Sequence, residues 1–191
     1  MKVKVCGLNN QSSISELNKL GIDFMGFIFF KKSRRFISKD LILSNLSKQK
    51  VGVFVNENLE TIINCIKKYK LAYVQLHGDE KPSFCKKLMK VVKVIKAFRV
   101  SKDYDINHTN SYIECCDYFL FDTESDKFGG TGKKFDWDII REFTRKKFIL
   151  SGGIDLNSIE KINKIKKENK YLIAVDINSK FEISPGTKDV E

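Results

Sequence analysis

Residues 51–80 read VGVFVNENLETIINCIKKYKLAYVQLHGDE, and their pattern decides the fold. Val51–Val55 and Ala72–Leu76 are β-branched and aromatic runs of strand length. Between them Asn58 stands as a cap before Leu59–Tyr69, where Leu59, Ile62, Ile63 and Ile66 trace one helical face. Strand, capped helix and strand in that order make a βαβ unit, whose two strands run parallel with a right-handed crossover.

The same beat extends in both directions. Further strand-like runs are Val3–Cys6, Phe24–Phe30, Val94–Val100, Tyr118–Asp122, Phe148–Leu150 and Leu172–Ile177, which brings the total to eight. Start signals mark the helices between them. Ser12-Ser13 precedes Ile14–Leu20, Ser38-Lys39-Asp40 precedes Leu41–Leu46, Lys81-Pro82 opens another, and Asp155 caps Leu156–Lys167. Several strands are apolar nearly throughout, as a sheet covered on both faces requires. Eight such units, with no GxGxxG after the first strand, predict one α/β domain over residues 1–191: a single (β/α)8 TIM barrel.

Composition narrows the function. No segment approaches the roughly 20 apolar residues of a membrane span, and the Met1-Lys2-Val3-Lys4 start lacks a signal-peptide core. A cytoplasmic protein with no membrane partner is expected. The five cysteines, Cys6, Cys65, Cys85, Cys115 and Cys116, show no metal-ligand spacing and are expected as free thiols. The net charge of +11 invites a nucleic-acid reading. Yet the excess is almost all lysine spread along the chain, with arginine only at 34, 35, 99, 141 and 145, whereas phosphate and base readers favour clustered arginine. No nucleic-acid partner is expected, and a non-catalytic, nucleic-acid-binding barrel is kept as the rival.

In a barrel of this kind chemistry gathers at the C-terminal ends of the strands. Read in order, those ends supply Cys6-Gly7, Lys31–Arg35, Asn56, Gln75 to Gly78, Arg99, Asp122, Ser151-Gly152-Gly153 and Asp176 to Ser179. Paired glycines after strand seven let backbone N–H groups approach a phosphate, and Asn178 and Ser179 follow strand eight; a tight turn is the other reading of Gly152-Gly153. His77 and Gln75 share a strand face, so His77 either lines the pocket or is a hydrogen-bonded core residue. The segment GGTGKK, residues 129–134, fails the nucleotide P-loop pattern at both Lys127 and Lys134 and is expected to be a flexible loop over the substrate.

In order and spacing, KVCGL, GFIFFKKSRRFIS, VGVFVN, VQLHGDE, FLFDT, GGTGKKFDW, LSGGI and AVDINSKFE…SPGTKD resemble the motifs of the phosphoribosylanthranilate isomerase family across essentially the whole chain. The resemblance implies a ribulose-phosphate-binding type barrel acting in tryptophan biosynthesis. It implies an Amadori rearrangement that converts N-(5-phosphoribosyl)anthranilate to 1-(2-carboxyphenylamino)-1-deoxyribulose 5-phosphate. By resemblance Cys6 is the general base, Asp122 the general acid, Arg35 the binder of the anthranilate carboxylate, and Asp176 the partner of its amine. Lys4, two residues back on the same strand face, is expected to lower the Cys6 thiol, and Asp176 to raise Asp122. Neither reading calls for a metal or organic cofactor. A different phosphosugar-binding barrel, such as indole-glycerol-phosphate synthase, would need a lysine and a glutamate at strand ends in place of the cysteine and aspartate.

Three departures from the family pattern stand out. Arg34 replaces a proline, which leaves the carboxylate binder between Arg34 and Arg35. Lys180 stands where glycine is usual, at a cost of about 1 kcal/mol or more if its φ is positive. The family's final helix is truncated or missing here, so an exposed apolar flank along strands eight and one is expected, covered in a possible homodimer or else weakening the barrel.

Overall fold

A computed structural model describes residues 1–37, 41–123 and 136–190. Eight parallel strands close on themselves in chain order: β1 (Lys2–Val5), β2 (Phe24–Ile28), β3 (Gln49–Phe54), β4 (Tyr73–Leu76), β5 (Lys93–Val100), β6 (Tyr118–Thr123), β7 (Phe148–Leu150) and β8 (Leu172–Ile177). The closing seam pairs β1 with β8, and its register sets Lys4 opposite Asp176. This is the expected barrel.

Strand alternation divides the side chains into two environments. Phe24, Val51, Tyr73, Ile95, Ala97, Leu120, Ile149 and Ala174, drawn from β2 to β8, pack together as a filled lumen. The opposite face of β3 to β8 builds the larger outer core, where Phe98, Phe119, Phe121, Phe143 and Phe148 meet largely edge-on at 4.9–6.3 Å between ring centres. The lumen is therefore shut below, and the inward positions of the upper strand ends are left for polar groups.

Four α-helices lie among the described residues: α1 (Gln11–Leu17), α2 (Leu59–Tyr69), α3 (Pro82–Leu88) and α4 (Ile159–Glu168). Asn10 caps α1 by accepting from Ser13 N–H at 3.0 Å, and Asn58 caps α2 by accepting from Thr61 N–H at 2.8 Å. The serine pair expected to start the first helix lies inside it. None of these helices is long and apolar enough to cross a membrane.

The helix expected over Leu41–Leu46 does not form, while its predicted start at 38–40 lies outside the described residues. Ser44 and Asn45 favour turns, since their side chains compete for the backbone bonds of a helix. Tertiary bonds hold the segment instead: Asn18 Oδ1 accepts from Ser47 N–H at 3.0 Å, and buried Lys50 donates to Leu43 C=O at 3.0 Å. A 3-10 turn at Trp137–Ile140 stands between β6 and β7. The chain running on to β7 is pinned by buried Asn169, whose amide donates to Arg141 C=O at 2.9 Å and Phe143 C=O at 2.8 Å.

After β8 the described chain makes a 3-10 turn and a small antiparallel hairpin, β9 (Glu182–Ser184) with β10 (Thr187–Lys188), and no helix. The flank of β8 and β1 is nonetheless less bare than expected. Val5 and Val175 are buried, Val3, Ile173 and Ile177 are half-buried, and Val190 packs back onto the cluster that holds Val5, Ile14 and Leu17. Lys180 lies in the 3-10 turn Ser179–Phe181 and is not among the residues with positive φ, so the strain expected there is absent.

Asn169→Ala should lower the stability measured by urea unfolding by about 1–3 kcal/mol, because two buried carbonyls lose their donor. An unchanged midpoint would mean that the Arg141–Phe143 segment is held by something else.

Candidate active site

The seam of the barrel supplies the first half of the site. Lys4 reaches up the lumen to place Nζ 2.8 Å from Asp176 Oδ2, with the lysine fully buried and the aspartate side chain 5% exposed. Cys6, one residue past the end of β1, is the next inward residue, and it is buried as well. Room for it comes from β2: a Cβ on Gly26 would lie 2.8 Å from Cys6 Sγ and 3.0 Å from its Cα. A glycine inside a strand often marks such a close approach, and here it admits the thiol.

The electrostatics correct one expectation. Burial pushes the Cys6 thiol above its ordinary value of 9.0, the Asp176 carboxylate adds to the rise, and Lys4 and Lys188 only partly pull it down. Lys4 does oppose the rise, but its charge is shared with Asp176 at hydrogen-bond distance. Burial opposes the Lys4 ammonium, yet Asp176 and Cys6 hold its titration above the usual lysine range. The raised carboxyl of the site is Asp176: burial lifts it against the pull of Lys4, and Asp122 adds to the lift. Asp176 Oδ1 is buried and has no hydrogen-bond partner, so one edge of the carboxyl keeps unused acceptor capacity.

The other half comes from β4 and β6. His77 Nε2 lies 3.3 Å from Asp122 Oδ2, and Gln75 Nε2 lies 2.8 Å from His77 Nδ1. Asp122 Oδ1 accepts from Thr123 N–H at 2.9 Å. His77 is mostly buried, with a hydrogen-bond partner at Nδ1 and the Asp122 carboxyl close to Nε2. A buried clamp fixes the chain beyond it: Glu80 accepts from Gly78 N–H at 3.1 Å, and Lys96 donates to Gly78 C=O at 2.7 Å and to Glu80 at 3.1 Å.

Gly152 and Gly153 have φ of +89° and +64°, in the left-handed region that glycine tolerates. A Cβ on Gly152 would lie 2.7 Å from Thr123 N and 3.2 Å from Asp122 Oδ1, so the loop must stay bare to pass the β6 mouth. No hydrogen bond among the described residues recruits the Gly152 or Gly153 N–H. Asn178 and Ser179 follow β8 beside them, and Asn178 is held by Lys188, which donates to its C=O at 3.2 Å and to its Oδ1 at 2.7 Å.

Of the two arginines after β2, Arg34 is exposed and Arg35 turns inward beside Gly7. Arg35 donates from Nε to Glu182 at 2.9 and 3.0 Å and from Nη2 at 2.6 Å; buried Lys188 adds a bond to the same carboxylate at 2.7 Å. Burial opposes the Glu182 charge, but these two cations hold its carboxyl below the usual range. Glu182, Lys188 and Gly26 carry no role in the sequence reading. The only sequence signal for the first two was their place in the last quoted motif, and for Gly26 its place inside a strand. The GGTGKK loop lies outside the described residues.

Residues 3–191 match the family model described as N-(5'phosphoribosyl)anthranilate isomerase. The chain is 40% identical over 199 residues to the N-(5'-phosphoribosyl)anthranilate isomerase of Parabacteroides distasonis, covering 100% of this chain and 89% of that one. It superposes with TM-score 0.85 and 34% identity on monomers generated from the dimeric phosphoribosylanthranilate isomerase of Thermotoga maritima, covering 100% of this chain and 93% of the other. A further solved isomerase, in complex with reduced 1-(o-carboxyphenylamino)-1-deoxyribulose 5-phosphate, matches at 32% identity and TM-score 0.80, with the same coverage.

Gly26→Ala should force the Cys6 side chain from its place and lower stability by about 1–3 kcal/mol, the scale of overpacking a filled core. Urea unfolding reads the loss; an unchanged midpoint would show that the thiol moves aside freely.

Proposed function

The chain belongs to the phosphoribosylanthranilate isomerase family and is an isomerase of tryptophan biosynthesis, and from that premise we propose that Cys6 and Asp122 carry its proton transfers. Asp122, in its protonated form, gives a proton to the furanose ring oxygen; the C1–O bond breaks and the anthranilate nitrogen completes an iminium. The Cys6 thiolate takes the proton from C2, and the bond electrons form the enolamine double bond. Return of the thiol proton to C1 and of the enol hydroxyl proton to Asp122 gives the ketone and restores both groups, so protons balance over the cycle.

The observation that carries this reading is Asp176. Its unpartnered, buried Oδ1 is suited to accept the N–H of the anthranilate amine, and its carboxylate raises the Cys6 thiol and is itself raised by Asp122. A hydrogen bond from substrate would also draw its charge away from Lys4, leaving that ammonium to stabilise the thiolate. Gly152, Gly153, Asn178 and Ser179 are proposed to hold the phosphate through backbone and side-chain donors. Arg35, already oriented by Glu182, is proposed to meet the substrate carboxylate, and His77 to line the pocket beside Asp122.

Arg35, Arg99, Arg141 and Arg145 are each held by partners within the chain, which favours a small-molecule substrate over a basic nucleic-acid surface. A cytoplasmic location and a homodimer belong to the same proposal; sedimentation at micromolar concentration tests the latter.

Turnover of freshly prepared phosphoribosylanthranilate, followed as loss of anthranilate-type fluorescence, tests the assignment. Cys6→Ala and Asp122→Asn should each lower kcat by about 10²-fold or more, the scale of losing one placed proton-transfer group. Full activity in either removes that residue from its role. The pH profile follows from the raised thiol. With the thiolate as the base, kcat/KM should carry the thiol's titration on its alkaline side. Its alkaline fall should begin only beyond the ordinary thiol value of 9.0. A fall starting near neutrality would contradict a raised thiol acting as the base.

A further inference from the structure

Gln75 is almost wholly buried in the lumen, yet the mechanism above gives it no task. Its amide nitrogen lies 2.8 Å from His77 Nδ1, and its carbonyl oxygen has no partner. On its other side the His77 ring meets the Asp122 carboxyl at 3.3 Å. The backbone around the ring cannot yield. His77 N–H donates to Phe54 C=O at 2.8 Å, and the next residue, Gly78, is clamped on both its N–H and its C=O by Glu80 and Lys96. What remains to be fixed is which ring nitrogen carries the proton.

An amide N–H aimed at Nδ1 needs a lone pair there, and a neutral imidazole with its lone pair on Nδ1 bears its hydrogen on Nε2. Nε2 is the nitrogen that stands 3.3 Å from Asp122 Oδ2. The reverse tautomer would set two donors against each other at Nδ1 and, whenever Asp122 is ionised, two lone pairs against each other at its carboxylate. A doubly protonated ring would require the Gln75 amide to turn over.

We infer that Gln75 is a positioning residue for the acid step: it holds His77 as the neutral ring protonated at Nε2, so that the proton delivered to the sugar resides on the Asp122 carboxyl and not on the imidazole. This rests on Asp122 as the acid. The titratable groups facing the ring are Asp122 from β6 and, across the lumen, Asp176 from β8. With Nδ1 occupied by a donor, a proton entering this cluster finds the imidazole closed and the carboxyl open. Thr123 N–H donates to one oxygen of that carboxyl, and His77 Nε2 stands 3.3 Å from the other.

The chain has only two histidines, and His108 is exposed, so a 15N-histidine spectrum carries its own reference. In the unmodified protein near pH 7, long-range 1H–15N correlations should show His77 with a protonated Nε2 and a bare Nδ1. Gln75→Leu should give a mixture of tautomers and lower kcat about tenfold with KM nearly unchanged. Gln75→Glu, whose carboxylate accepts a hydrogen bond, should convert the ring to the doubly protonated form. A parent ring protonated at Nδ1, or at both nitrogens, overturns the inference without any variant having to fold. So does a Gln75→Leu protein whose tautomer is that of the parent. Full activity of Asp122→Asn would instead strike at the acid assignment and leave the tautomer result standing.

Discussion

The structure depends on one buried ion pair, Lys4 with Asp176, set across the seam where the last strand closes on the first. Neither charge could remain there alone: removing one partner of such a pair leaves an uncompensated ion at a cost of about 3–5 kcal/mol. The pairing register brings the two side chains to the same height in the lumen, and the closure of the sheet makes them neighbours although the chain separates them by 172 positions. Everything at the mouth is placed relative to this pair. Cys6 follows Lys4 by one inward step, and Asp176 keeps one buried oxygen without a partner.

A second network repeats the device on the rim. Glu182, delivered by the hairpin after β8, gathers Arg35 from the β2 loop and Lys188 from β10, and Lys188 in turn holds Asn178. Distant parts of the chain thereby form one wall beside Gly7 and Cys6. The wall explains why Arg35 and not Arg34 faces inward: three hydrogen bonds to one carboxylate fix the guanidinium plane, whereas Arg34 stays in solvent. Two lysines and two carboxylates surround the thiol region, and burial still wins over the cations at Cys6. A thiol so placed is a strong base when it does ionise.

Much of this was legible in the sequence, for physical reasons that can be named. Strand β7 is Phe148–Leu150 and β8 is Leu172–Ile177, as the apolar runs predict, because strands buried on both faces admit little else. Asn58 and Pro82 mark their helix starts for local reasons of capping and fixed φ. Cys6 and Asp122 are singled out in the sequence because both stand at strand ends, where a barrel gathers its chemistry, and within motifs that resemble the family's. The losses share a cause. The helix missing at Leu41–Leu46 gave way to tertiary bonds from Asn18 and Lys50, and the Glu182 role arises from a contact across 147 positions. The direction of the Cys6 shift departs from expectation because the strand alone shows neither the depth of the thiol's burial nor the carboxylate that occupies Lys4. Composition and periodicity are local, whereas electrostatics inside a closed sheet is set by neighbours remote in the chain.

The central claim is that the Lys4 ammonium is what keeps so deeply buried a thiol within reach of ionisation. Titration of the Cys6 13Cβ resonance in the ligand-free protein and in Lys4→Met tests it directly. The account predicts a parent titration above the ordinary 9.0, and a further rise in Lys4→Met, where burial and Asp176 act unopposed by Lys4. A Cys6 titration that stays in place or falls when the lysine is removed would contradict it.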